Sequence, residues 1–140
     1  MYWSDKYIGI PFLEGGRDFK GCDCGGLVLL VLREERGVEA RDFVDYEVED
    51  FKSLRGLIKI GRGIDEVVSE DWVRVGGEVK PFDLLRFKKG KAHCHVGIYA
   101  GENRFLHVED GPGQIAHLAG LDDLSWGPRL FETCRHKELL

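Results

Sequence analysis

The chain has 140 residues, 43% hydrophobic and 32% charged, the balance of one globular domain with a single sizeable core rather than of a disordered chain. A formal net charge of −5 offers no basic surface for nucleic acid or an anionic membrane. The longest apolar run, Leu27 to Leu32, is too short for a bilayer, and Met1-Tyr2-Trp3-Ser4-Asp5-Lys6 is not a secretory leader, so a soluble chain made in a cytoplasm is expected.

No repeat or linker divides residues 1–140, which are read as one domain. Residues 9–21 form a loop rich in glycine and charge. It leads into an apolar stretch, 24–36, that ends in good helix formers followed by Gly37. This predicts a buried helix, although glycines at 25 and 26 weaken the pattern. From about 46 to 75, Leu54, Leu57, Ile58 and Ile60 alternate with charges and predict a mostly helical region. From Val79 the period changes, and 83–88, 94–100, 104–109, 114–118 and 130–135 read as short strands, most of them separated by Gly, Asn, Asp or Pro. Helices followed by an antiparallel sheet of about five strands define the α+β class.

Candidate chemistry starts at Asp23-Cys24. Asp is a favoured N-cap, so Asp23 is expected to cap the 24–36 helix and leave Cys24 in its first turn, where free N–H groups and the helix dipole favour a thiolate. On this feature alone, a buried structural cysteine remains the default. The second feature is a hairpin turning at Gly101-Glu102-Asn103. Pairing Ala100 with Arg104 sets Gly97 opposite His107 and His95 opposite Glu109. One face then carries His95, Gly97, Tyr99, Phe105 and His107, and the other carries Val96, Ile98, Leu106 and Val108. The two histidines become diagonal neighbours with Gly97 leaving room between them, the geometry of a base and the group that orients it. A slip of one residue would separate them.

A competing reading is metal binding by Cys22, Cys24, His93, Cys94 and His95. The C-x-C spacing is a weak match to structural zinc sites, and adjacent strand residues point to opposite faces, so no metal and no cofactor is expected. The four cysteines are expected as free thiols. Glu109-Asp110 reads as a solvated turn, 88–91 as an exposed hairpin turn, and Trp3, Trp72 and Trp126 as core or interface residues.

The motifs Tyr7-Ile8-Gly9-Ile10-Pro11-Phe12, Gly15-Gly16-Arg17-Asp18, Gly21-Cys22-Asp23-Cys24-Gly25-Gly26-Leu27-Val28, His95-Val96-Gly97-Ile98-Tyr99 and Phe105-Leu106-His107, with a closing strand that ends Cys134-Arg135-His136, resemble the papain-like NlpC-type cell-wall cysteine peptidases over nearly the whole chain. They are most similar to the branch found at the tail tips of bacteriophages and phage-like particles. The resemblance implies a Cys24/His95/His107 triad, with the nucleophile helix packed on the sheet. It also implies a substrate cleft that includes Phe12, Asp23 and Gly25. The family often has tyrosine at the position of Phe12 and Trp or Ser at that of Gly25. The implied substrate is the stem peptide of bacterial peptidoglycan, and the implied partners are tail-hub proteins, docked through surface aromatics or residues 46–75. The implied setting is a particle tail tip acting in the cell wall or periplasm, with neither nucleic acid binding nor membrane insertion. The alternatives are a structural tail-tip subunit that keeps the fold with little or no activity, and a zinc-stabilised binding module.

Overall fold

The computed structural model describes residues 2–44 and 52–140. A short hairpin, β1 (Arg17–Asp18) and β2 (Gly21–Cys22), leads into helix α1 (Cys24–Arg36). Gly37 ends α1 in the left-handed conformation, at φ 63°, and donates to the Arg33 carbonyl while Val38 donates to Leu32. The expected helix therefore has its expected bounds. Helix α2 (Leu54–Asp71) is capped by Ser53, whose side chain accepts from the Gly56 N–H. The part of the expected helical region at 46–51 lies outside the described residues, and its far end is not helical. Residues Trp72–Arg74 form strand β3, which Trp72 anchors by burying its ring.

Five further strands follow: β4 (Leu84–Lys89), β5 (Ala92–Gly101), β6 (Arg104–His107), β7 (His117–Gly120) and β8 (Leu130–His136). With β3 they make one sheet of six strands in the order β3-β8-β4-β5-β6-β7, antiparallel throughout. The fold is α+β with one strand more than the sequence suggested. Two expected strands are shorter: β6 stops at His107 rather than 109, and β7 starts at His117 rather than 114.

The strand alternation separates two apolar layers. Leu84, Val96, Ile98, Leu106 and Val108 face Leu27, Val28, Leu30, Val31 and Leu32 of α1 and Ile64, Val67 and Val68 of α2. Leu85, Phe87, Phe105 and Trp126 form a smaller cluster of their own. Burying an aliphatic side chain of this size contributes about 1.5–3 kcal/mol, so the first layer dominates stability. It also fixes the register, because a one-residue slip would turn Val96, Ile98 and Leu106 out of it.

Candidate active site

Cys24 opens α1, and the loop before it is tied down from several directions. Asp23 Oδ1 accepts from the Gly26 N–H at 2.8 Å and from Arg17 Nη1 at 2.6 Å, and Oδ2 accepts from the Gly15 N–H at 2.9 Å. The cap is the expected one, with the carboxylate acting as a hub for the loop. Arg17 also forks onto Asp42 at 2.8 and 3.0 Å. Phe12 is held between two segments, its N–H donating to the Gln114 carbonyl while the main chain of Pro11 and Leu13 bonds to Cys22.

On the sheet, β5 and β6 pair Ile98 with Leu106 and Tyr99 with Phe105, the expected register. It breaks only beside the turn, where Gly101 rather than Ala100 pairs with Arg104, because Glu102 and Asn103 both take positive φ. His95 and His107 are both buried, and His95 Nε2 lies 2.8 Å from His107 Nδ1. Gly97 is the space between them: a Cβ there would lie 3.0 Å from Phe105 and 3.4 Å from the His107 Cβ.

The N-terminus of α1 meets β5 at its β6-facing edge. Because β6 ends at His107, that edge is open beyond Gly97, and the Cys24 sulfur sits against it. Sγ lies 3.8 Å from the Cys94 carbonyl oxygen and takes a hydrogen bond from the Val96 N–H, so it touches the main chain on either side of His95. The His95 nitrogen not engaged by His107 is Nδ1. That atom is the one left to exchange a proton with the thiol.

The surroundings of Cys24 shift its thiol away from the expected thiolate. Burial pushes the Cys24 thiol well above the ordinary cysteine range. The carboxylates of Asp23 and Asp110 add to this, and the Val96 N–H opposes it. Burial likewise holds His95 well below its usual value, with His107, Lys89, Arg129 and His117 acting in the same direction. His107 is pushed down as well, first by burial and then by His117. All three shifts run toward a neutral thiol beside neutral imidazoles, although the Cys24 side chain stays partly exposed at the cleft.

A cleft of about 520 Å3 opens at Cys24. Phe12, Leu57, Ile60, Cys94 and Pro112 give it apolar walls, and Asp23 reaches it with the carboxylate already engaged. Gly25 does not line the cleft: it is buried, and a Cβ there would meet Phe43 at 3.3 Å. Its lack of a side chain serves helix packing, which corrects its expected place in the cleft wall. Among the described residues no cluster of three or more His, Cys, Asp or Glu side chains could hold a metal ion. His93 packs on Phe131 at 4.4 Å instead.

Two features of the site were not legible in the sequence. Trp126 stacks on His95, with ring centroids 4.2 Å apart and planes 28° apart, and its edge contact with His107 has centroids at 5.5 Å. Its indole N–H donates to Glu109 at 3.1 Å, so Glu109 is an anchor rather than a solvated turn residue. Lys89 and Asp110 pair at 3.1 Å and both line the cleft. The 88–91 turn thus carries a site residue.

A model of the NlpC/P60 family matches residues 9–135. The chain is 31% identical to the Murein DD-endopeptidase MepS/Murein LD-carboxypeptidase of Escherichia coli, over 94% of this chain and 60% of that protein. To the "Probable endopeptidase NlpC" of Escherichia coli it is 26% identical, over 93% of this chain and 71% of that protein. The chain thus spans about three-fifths of the first relative's length. In fold it is similar to the NlpC/p60 domain of the peptidoglycan hydrolase SagA, with TM-score 0.56 and 22% identity over 93% of this chain and 90% of that one. With its capped cysteine helix set against the edge of an antiparallel sheet, this chain belongs to the NlpC/P60 family.

Proposed function

We propose that the protein is a cysteine peptidase that hydrolyses stem-peptide bonds of bacterial peptidoglycan, with Cys24 as nucleophile, His95 as base and His107 orienting His95. The observation that carries this reading is the placement of the Cys24 sulfur against the main chain flanking His95, whose other nitrogen is held by His107 at 2.8 Å. The murein endopeptidase among its relatives supports the substrate class.

From a neutral pair, attack and proton transfer go together. Sγ bonds to the substrate carbonyl carbon as the thiol proton passes to His95 Nδ1, and the new oxyanion faces the Cys24 N–H in the first turn of α1. When the intermediate collapses, the C–N bond breaks and His95 returns the proton to the leaving amine. Water then gives its proton to His95 and attacks the thioester, which releases the acid and restores the thiol. Throughout, His95 Nε2–H donates to His107 Nδ1, which fixes the ring and its tautomer.

The test is mass spectrometry of defined muropeptides incubated with the protein and with Cys24→Ala. Cleavage that is lost in the variant is expected and names the bond. Full activity in Cys24→Ala would overturn the mechanism. Cleavage by neither folded protein would favour a structural subunit, a reading motivated by Phe12 standing where the family often has tyrosine.

The setting is a proposal that rests on the motifs: a phage or phage-like tail tip, docked to tail-hub proteins and acting in the cell wall or periplasm. Co-purification of tail-hub proteins with this chain is expected. Assembly unchanged after α2 surface residues are replaced would remove α2 as the docking face.

A further inference from the structure

Beside Cys24 and His107, His95 has a further close ring neighbour that the proposed mechanism does not use. Trp126 is buried and lies face-on to the imidazole at 4.2 Å. It is fixed on several sides. Its main-chain N–H and that of Ser125 donate to Asp123 Oδ1 at 2.9 and 2.8 Å, and its indole N–H donates to Glu109 at 3.1 Å. Its carbonyl accepts from the Arg129 N–H at 2.9 Å, in the 3-10 turn that follows. The exposed Arg129 guanidinium lies 4.7 Å from the indole centroid. An indole face covered by an imidazole leaves no room for a guanidinium, so Arg129 takes the solvent side. Trp126 does not line the cleft.

We infer that Trp126, backed by Arg129, is a positioning residue that fixes the His95 ring plane and keeps water off the His95–His107 hydrogen bond. This rests on the reading of His95 as the base. The indole contacts both rings of the buried hydrogen bond, and misalignment of a catalytic base by about 1 Å can cost on the order of 100-fold in rate. Arg129 gives the stack its electrical sign. An isolated indole would attract an imidazolium, whereas one already holding a guanidinium on its far face places a second cation opposite it. The groups that face His95 from the packed elements are Lys89 on β4, His107 on β6, His117 on β7, Arg129 in the turn and the Cys24 thiol on α1; none of these is an anion in the resting state described above. Glu109 is engaged by the indole N–H, Asp123 by main-chain N–H groups and Asp110 by Lys89, so these carboxylates are held by groups other than the histidine.

The test compares Trp126→Ala, Trp126→Phe and Arg129→Met in the full chain. It uses kcat and KM against pH on a cleaved muropeptide, with NMR titration of the His95 imidazole as a readout that needs no substrate. Trp126→Ala is expected to lower kcat about 10- to 100-fold with KM within about twofold, because the residue is outside the cleft. Its acid limb should move up as water reaches His95. Trp126→Phe keeps an aromatic face and should recover most of the rate. Arg129→Met leaves the core untouched and should raise the His95 titration by on the order of half a pH unit. A merely structural tryptophan would lower stability without moving either the limb or the titration. An unmoved titration in both Trp126→Ala and Arg129→Met, or a change confined to KM, overturns the inference. If Trp126→Ala does not fold, Arg129→Met decides. If no muropeptide is cleaved, the titration still tests the stack while the peptidase reading fails separately.

Discussion

Two buried neutral histidines make the domain sensitive to mild acid, and the size of the effect follows from their environment. His107 is held down to about 3, first by burial and then by the neighbouring His117. In the unfolded chain it titrates near its ordinary value of about 6.5. A base with a depressed folded value binds fewer protons folded than unfolded. Its neutral burial therefore costs nothing above the unfolded value, and destabilises progressively as pH falls below it. Between pH 7 and pH 5 the loss is about 2 kcal/mol for one such histidine. His95 is shifted the same way by burial and by the imidazole, lysine and arginine groups around it, and His136 by burial. Carboxylates held low, such as Asp71 and Asp123, stay ionised over this window and do not contribute. The assay is urea unfolding at both pH values for the parent and for His107→Asn. The parent should lose several kcal/mol between them, and the variant about 2 kcal/mol less. An equal loss in both would mean that His107 is already hydrated or charged in the folded protein, and the neutral pair would be wrong.

Asp23→Ala removes the α1 cap and the acceptor for Gly15 and Arg17; a loss of about 1–3 kcal/mol is expected by thermal or urea unfolding, with Asp23→Asn recovering the cap portion. Gly97→Ala puts a methyl 3.0 Å from Phe105 and 3.4 Å from the His107 Cβ, and should cost about 1–3 kcal/mol and lower kcat. Because the Cys24 thiol is held up by burial and by Asp23 and Asp110, its alkylation by iodoacetamide should keep rising with pH through the alkaline range; a plateau below pH 7 would instead reveal a preformed thiolate.

Where local chemistry decides the structure, the sequence was readable. Asp23 and Gly37 bracket α1 because a cap and a left-handed glycine act within one turn. The Val96/Ile98 and Leu106/Val108 alternation, with a turn needing positive φ at 102 and 103, fixed the hairpin register and so the histidine pair. What stayed hidden depends on distant partners. Strand β3 is three residues directly after α2, too short to show a period, and exists because β8 is there to pair with it. Trp126 reaches His95 only after the chain has crossed β6 and β7. Lys89 meets Asp110 because two turns from different hairpins converge. The upward shift of the Cys24 thiol is hidden for the same reason: the helix N-terminus is visible in the sequence, while the desolvation that opposes it is a property of the packed cleft.

Geometry and proton chemistry in this site have one origin. β6 ends at His107, which leaves the main chain of β5 at Cys94 and Val96 open to the Cys24 sulfur and places His107 where its Nδ1 meets His95. The same closeness buries both histidines and leaves Cys24 only partly exposed, at the cleft. A resting thiolate–imidazolium pair would have to overcome the desolvation of both charges, with one Val96 N–H favouring the sulfur's charge and four cationic or imidazole neighbours opposing the proton on His95. In the proposed mechanism a neutral pair escapes that cost, and charge develops only as a carbonyl carbon comes within bonding distance of the sulfur. Under the proposed mechanism the apolar cleft walls would then have a second role beside accepting a peptide: by favouring the protonated thiol, they would tie its nucleophilic form to the presence of substrate.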